Sequence, residues 1–345
     1  MKSIEPFLYF EFQKPSYLAS FGGSCTTKEI FNERVYSMDI RSEMTINEMI
    51  QEFAKSGCFG AGRLATAVDI YQRMLNEKAT IILGLAGAMV PAGFRKIIVT
   101  LIQKKLVDII VSTGANMVHD VLEAFGGAHY KGTWLIDDRS LHKYKVERIY
   151  DIFIPEKLFV KKFDKPILEV YQEIASQFKG QVLSIKDFMW EVGKRIKDEN
   201  SILHNAYKYQ FPIFVPAVQD SCYGLQAWEF QRRTKNALIV DAFKDLEDFF
   251  ALVRNSKKIG AILIGGGVPK NFIFQAAFKT KRAFNYAIQI TMDRPEPGGL
   301  SGATLEEAVS WGKVHEKASK VTVYSDATIC FPIMVAAVME RLKIT

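Results

Sequence analysis

The chain has 345 residues, 48% of them hydrophobic and 24% charged, the balance of a folded globular protein rather than a disordered one. Its formal net charge is +7, but the basic residues are scattered among acids, as at Lys104-Lys105 and Lys161-Lys162. That scatter argues against a nucleic-acid or membrane-surface binder. The cysteines, at 25, 58, 222 and 330, form no CxxC pair. No metal site is therefore expected, and so few cysteines suit a reducing, cytoplasmic setting. The opening MKSIEPFLYFEF carries Glu5 and Glu11 and does not read as a signal peptide. No apolar run reaches the roughly 18 residues of a membrane span.

Residues 1–45 are irregular, with Pro15, Gly22 and Gly23 as breakers, and are predicted to be an N-terminal arm. Residues 46–345 are predicted to be a single domain. A helical pattern runs from Met44 to Lys78. An alternation then begins. Short apolar runs at Ala79–Leu83, Val107–Val111, Ile213–Val215, Ala237–Val240, Ala261–Ile264, Ala287–Ile290 and Val321–Tyr324 alternate with helical stretches, among them Pro91–Lys105 and one ending at Ala124. This pattern predicts an α/β fold, a mostly parallel sheet with helices on both faces. The segment at about 151–200 is rich in Lys, Asp and Glu and is predicted to be a helical excursion packed on the sheet. Ligands of such folds bind at the carboxyl ends of the strands, near a topological switch point.

Three segments after predicted strands or helices could carry chemistry. Gly265-Gly266-Gly267 sits between a strand and a helix begun near Pro269. Glycines there admit a ligand close to the backbone, and a helix start favours phosphate. The run is not GxGxxG, and a plain tight turn is an equal reading. Lys270 is either a phosphate partner or a surface residue. The second segment, Ser112-Thr113-Gly114-Ala115-Asn116, is followed by His119-Asp120. A lone histidine is more often structural than catalytic, and His129, His142, His204 and His315 show no metal-ligand spacing. In the third, Thr304 and Glu307 have capping-box spacing, and Trp311 follows Glu307 by four residues on the same helical face. A carboxylate beside an indole suits an alkylammonium. Lys313 reaches that face only if Gly312 ends or bends the helix.

Four motifs carry a resemblance. They are Ala308-Val309-Ser310-Trp311-Gly312-Lys313, Gly265 to Lys270, the Pro216-Ala217 turn reaching Asp220, and Tyr324-Ser325-Asp326-Ala327. In their order along the chain they resemble the deoxyhypusine synthase family, from about residue 45 to the C-terminus. The resemblance implies a Rossmann-like fold, NAD as cofactor, and homotetramers with active sites at a dimer interface. It implies that Gly265, Gly266, Gly267, Thr113, Asp220, Asp326 and Ala327 line the NAD site. It further implies that Glu307 and Trp311, with Asn271 and His119, meet the amine substrate, and that Lys313 carries a butylimine covalently.

Departures from the family pattern bear on the substrate. Asn271 stands where many members have histidine, Leu300 and Leu225 where they have carboxylates, and His119 where the eukaryotic pattern has an acid. Losing an ion pair to a buried ammonium costs on the order of 2–5 kcal/mol. The loops Gly84–Gly93 and Asp293–Gly302 resemble a bacterial branch, some members of which are thought to make homospermidine. The expectation is therefore aminobutyl transfer from putrescine or spermidine to a free diamine. The alternatives are deoxyhypusine synthesis on a lysine of translation initiation factor 5A, and a non-catalytic NAD-binding paralogue.

Overall fold

Six apolar runs build the central sheet of this computed structural model, which describes residues 34–234 and 238–344. The chain divides into two units, Met1–Ser37 and Met38–Thr345. The arm predicted over residues 1–45 thus falls largely outside the described residues. Helix α1 (Ile46–Ser56) starts on a reciprocal capping box between Thr45 and Glu48 and ends at Gly57, whose φ is 66°. A second helix, α2 (Phe59–Asn76), follows, so the helical pattern of 44–78 is two helices broken at that glycine. Then come β1 (Thr80–Leu85), a wide helical turn over Val90–Phe94, α3 (Arg95–Gln103), β2 (Ile109–Ser112) and α4 (Gly114–Ala124).

Next come β3 (Tyr130–Lys131), α5 (Asp138–Tyr144) and β4 (Val146–Ile149); the predicted excursion at about 151–200 holds β5 (Ile152–Pro155), α6 (Glu156–Phe159), α7 (Lys165–Phe178), β6 (Val182–Ser184) and α8 (Ile185–Lys194), and α9 (Ile202–Lys208) follows. Strands β3, β5 and β4 form a small antiparallel sheet that periodicity did not reveal. The buried Ile167, Tyr171 and Phe188 of α7 and α8 join the same apolar cluster as β1 and β2. The chain closes with β7 (Ile213–Phe214), α10 (Cys222–Arg233), β8 (Ile239–Asp241), α11 (Lys244–Asn255), β9 (Ile259–Ile264), α12 (Gly267–Thr280), β10 (Phe284–Thr291), α13 (Leu305–Ser310), β11 (Val314–Tyr324) and α14 (Ala327–Leu342).

The sheet order is β11-β10-β9-β1-β2-β7, and every neighbouring pair is parallel. One expected strand is not in it. The run Ala237–Val240 contributes to β8, which pairs with β6 in a separate two-stranded sheet; Ala237 itself lies outside the described residues. Ile239 of that strand is 42% exposed, too open for a strand buried on both faces.

Side chains alternate across the sheet as a strand dictates. Ile81, Leu83, Ile110, Ile262 and Ile288 join a core with α2, α3, α4 and α14. Ile82, Val111, Ala261, Leu263 and Ala287 face a second core made with Phe249 of α11, Ile273 of α12 and Leu305 of α13. Crossover α3 thus covers one face and α12 the other. From β1 the chain steps to β2, and from β9 it steps the opposite way to β10. The switch point lies between β1 and β9, where a doubly wound sheet opens a crevice at its carboxyl edge.

One buried ionic cluster fixes α4 against α3 and α9. Asp120, fully buried, accepts from Arg95 Nε at 2.7 Å, Ser201 Oγ at 2.7 Å, and the Ile202 and Leu203 amides at 2.9 and 3.0 Å. Its removal leaves Arg95 Nε, Ser201 Oγ and two helix-start amides without this acceptor, while Asp198 still holds the guanidinium at 2.8 Å. Asp120→Ala is expected to cost about 3–5 kcal/mol, read as a lower urea midpoint. Asp138→Ala, which breaks only an exposed pair with Arg148, should barely move it.

Candidate active site

The loops after β1, β9, β10 and β11 meet at the switch point around a crevice of about 350 Å³, lined by Ala86, Gly87, Gly265, Gly266, Gly267, Thr291, Ser301, Asp326 and Ala327. Gly265 and Gly267 have φ of 68° and 55°, where a side chain is strained. A Cβ on Gly266 would sit 2.4 Å from Ser301 Cα. The loop 300–303 therefore packs on bare backbone. Among the described residues no side chain caps the start of α12, so its first amides are left for a ligand. Asp326 lines the crevice and also caps α14, its Oδ1 accepting from the Thr328 amide at 2.8 Å.

A buried hub holds the crevice walls. Gln289, on β10, donates from Nε2 to Gly265 O at 3.0 Å and to Ser301 O at 2.8 Å. Lys270, only 3% exposed, donates from Nζ to Gln289 Oε1 at 3.1 Å, to Leu300 O at 3.1 Å, and to Ala303 O. Neither reading of Lys270 from sequence holds: it is a buried tie between α12, β10 and the 300–303 loop. Burial pushes its pKa down to about 8, against the field of Glu307.

The other side of that loop forms a small cleft of about 60 Å³. Lys270, Asn271, Phe274, Leu300, Thr304, Glu307, Trp311 and Lys313 line it. Thr304 Oγ1 accepts from the Glu307 amide at 3.0 Å. The reciprocal bond of a capping box is absent among the described residues, which leaves the Glu307 carboxylate unused by the helix. Helix α13 then ends in a Schellman turn. The Gly312 amide donates to Val309 O and the Lys313 amide to Ala308 O, both at 2.9 Å. Gly312 has φ 65°, the left-handed residue this turn requires. The turn swings Lys313 out of the helical path, and its Nζ lies 5.4 Å from the Trp311 ring centroid. Phe284 N–H then donates to Lys313 O at 3.0 Å, tying the turn to β10.

Not every predicted site residue lines these cavities. Thr113, at the start of α4, accepts from Asn116 Nδ2 at 3.2 Å. Asn116 also donates to Gly87 O and accepts from the Val90 amide, both at 3.0 Å, so it joins the loops after β1 and β2. Sequence reading passed over it, although its place in a small-residue loop after a strand was the available signal. Asp220 is exposed on the turn before α10. His119 is buried on α4 and pairs with His129, Nδ1 to Nε2 at 2.9 Å. No spacing rule links those two, because the turn at 125–128 brings His129 back.

The Lys270 tie has a pH signature. Its folded pKa, about 8, lies below the roughly 10.4 of an unfolded lysine. Between these values the unfolded chain binds a proton that the folded one has released, so this group adds stability as pH rises from about 8 to 10. In Lys270→Met that increment should vanish from the pH dependence of the urea midpoint. An identical pH profile in both proteins would contradict a buried Lys270.

Residues 48–338 match the family described as deoxyhypusine synthase. A probable deoxyhypusine synthase of Methanosarcina thermophila is 48% identical, over 91% of this chain and 97% of its own. Probable deoxyhypusine synthase 1 of Methanosarcina acetivorans is 50% identical, over 87% and 92%. Among solved structures, a putative deoxyhypusine synthase from Entamoeba histolytica has the same fold, with a TM-score of 0.61, 21% identity, and coverage of 88% of this chain and 96% of that one. The family is NAD-dependent. The crevice fits that cofactor: its glycine floor leaves no room for side chains at Gly266, and the uncapped start of α12 suits a pyrophosphate. Fold, crevice and sequence agree that this chain belongs to the deoxyhypusine synthase family.

Proposed function

We propose that the chain transfers an aminobutyl group from spermidine through Lys313 to a protein lysine, that of translation initiation factor 5A, and so makes deoxyhypusine. The observation that carries this reading is the cleft itself. A lysine, an indole and an uncommitted carboxylate converge there, one loop away from the glycine-floored crevice. The names of the archaeal relatives support a protein acceptor. They favour it over the free diamine that the leucines at 225 and 300 suggested.

Gly265, Gly266, Gly267 and Asp326 would hold NAD, with Thr113 and Asp220 as further contacts by resemblance. When bound, NAD would supply a hydride acceptor and return the hydride at the end, leaving the transfer redox-neutral. Glu307 offers a carboxylate and Trp311 a ring face to the alkylammonium. Lys313, as free amine, attacks the oxidised carbon. A new C–N bond forms, the old C–N bond breaks, and 1,3-diaminopropane leaves with a proton. The Lys313 imine then passes to the acceptor amine. Exposed Met292, Leu300 and Trp311 line the two cavities, and their apolar surface supports the homotetramer with sites at subunit contacts that the resemblance implied.

Mass spectrometry of products tests the acceptor. Incubation with NAD and spermidine alone should release 1,3-diaminopropane and a cyclic imine, and added initiation factor 5A should gain an aminobutyl group. Homospermidine from putrescine without any protein acceptor would instead support the free-diamine reading, for which the two leucines are the specific observation. Silence in every mixture would point to a non-catalytic paralogue. Lys313→Ala should abolish transfer while leaving NAD affinity nearly unchanged, as read by calorimetry. Trp311→Ala should raise the amine KM about tenfold, the equivalent of roughly 1.4 kcal/mol of lost cation–π attraction.

A further inference from the structure

At the amino edge of the sheet, opposite the glycine-floored crevice, β10 and β11 diverge for a few residues. Phe284 pairs with Val314, and Tyr286 with Ser319. Between these pairs β10 has one residue, Asn285, and β11 has four, 315–318. Such a bulge breaks the ladder and bends the extra residues away from it. Beside it lies a cavity of about 130 Å³, to which Arg73, Lys258, Asn285, His315, Lys317 and Ser319 bring polar side chains. None of these residues lines the crevice or the Lys313 cleft.

The neutral groups use their acceptors on the protein and leave donors over. Asn285 Oδ1 accepts from the Ile259 amide at 3.0 Å, so its Nδ2 remains. His315 Nδ1 accepts from the Lys317 amide at 3.1 Å, which puts the ring proton on Nε2. Ser319 Oγ accepts from Arg73 Nη1 at 3.1 Å, so its hydroxyl proton is left to donate. Asn285 Nδ2, His315 Nε2 and Lys317 Nζ have no partner among the described residues.

The charges are held in place. Glu77, which does not line the cavity, accepts from Lys258 Nζ and from the Tyr286 hydroxyl, and lies 3.7 Å from Arg73 Nε. The bonds from Lys258 and Tyr286 keep its carboxyl below the ordinary carboxylate range. The Arg73 guanidinium also lies over the Tyr286 ring, 5.6 Å from its centroid. Three cations thus stand against one carboxylate, and Glu316 of the bulge is not part of the lining. A net positive cavity with N–H and O–H donors on several sides matches a tetrahedral oxyanion.

We propose that this cavity binds a phosphate group, with Arg73, Lys258 and Lys317 supplying charge and Asn285, His315 and Ser319 supplying directed donors. The site is separate from the place proposed for the NAD pyrophosphate, which lies at the carboxyl edge of the sheet. It stands whether or not Lys313 transfers an aminobutyl group.

The test is ¹⁵N NMR of the full chain labelled at histidine, with His315 assigned through His315→Gln. Inorganic phosphate is titrated at fixed pH and ionic strength in saturating NAD, and the His315 Nε2 resonance should move along a saturating curve. Ribose 5-phosphate, titrated in the same way, distinguishes an esterified phosphate from the free ion, and saturation by either supports the site. Lys317→Gln removes an exposed, unpartnered cation and should weaken binding at least about tenfold. Asn285→Asp keeps the acceptor for the Ile259 amide and exchanges the free donor for an acceptor, so it should weaken binding further. Lys104→Gln, the same change of charge outside the cavity, should leave the affinity unaltered. A His315 resonance indifferent to both ligands overturns the proposal. Equal weakening by Lys317→Gln and Lys104→Gln overturns it too, since the response would then report only the general field of a basic protein.

Discussion

The ammonium of Lys270, buried between α12 and β10, is the constraint on which both cavities depend. A charge in that position is stable only when its donors are used. Lys270 uses them on Gln289 and on two carbonyls of the 300–303 loop, while Gln289 holds that same loop and the Gly265 carbonyl. The loop is a single wall with two sides. One side closes the glycine-floored crevice through Ser301, and the other lines the cleft of Glu307, Trp311 and Lys313 through Leu300 and Ala303. A polar tie between the two cavities thus sets the distance between the glycine-floored crevice and the cleft of Glu307, Trp311 and Lys313, which lie on different elements.

The sheet supplies the second requirement. Two cores, one on each face, are filled by alternate residues of the same strands. Because α3 and α12 cover opposite faces, the chain diverges at β1 and β9, and the crevice is the gap left at their carboxyl ends. The absence of a side chain at Gly266 lets the backbone after β9 lie against the loop from β10 at Ser301. Lys313 enters from a different direction, on the Schellman turn between α13 and β11. Its placement depends on Gly312, since a residue with a Cβ would resist the left-handed conformation there.

Electrostatics divides the molecule into a general and a local problem. The net charge of +7 disfavours a polycationic substrate at long range, where salt screens it within about 8–10 Å. Attraction must then be local. Glu307, left free by a helix that needs only Thr304 as its cap, is one such point.

Much of the fold was legible in the residues themselves. The alternation of short apolar runs with helical stretches specified a parallel sheet covered on both faces, because such strands must be apolar throughout. The motifs around Gly265, Glu307, Trp311 and Lys313 pointed to loops that line the two cavities, since turn glycines, caps and i,i+4 pairs are local effects. Three kinds of feature were not legible. The strand at Ile239 had the composition of a sheet strand, but its pairing with β6 depends on what lies beside it in space. Lys270 looked like a surface or phosphate-binding residue, because its three acceptors lie 19 to 33 positions away along the chain. The contact of His119 with His129 follows no helical or strand period, since the turn at 125–128 and not a regular element joins the two. Local sequence thus determined the elements and their caps. Only the tertiary structure decided which buried polar groups would meet, because a partner for a desolvated charge is chosen by proximity in the fold and not along the chain.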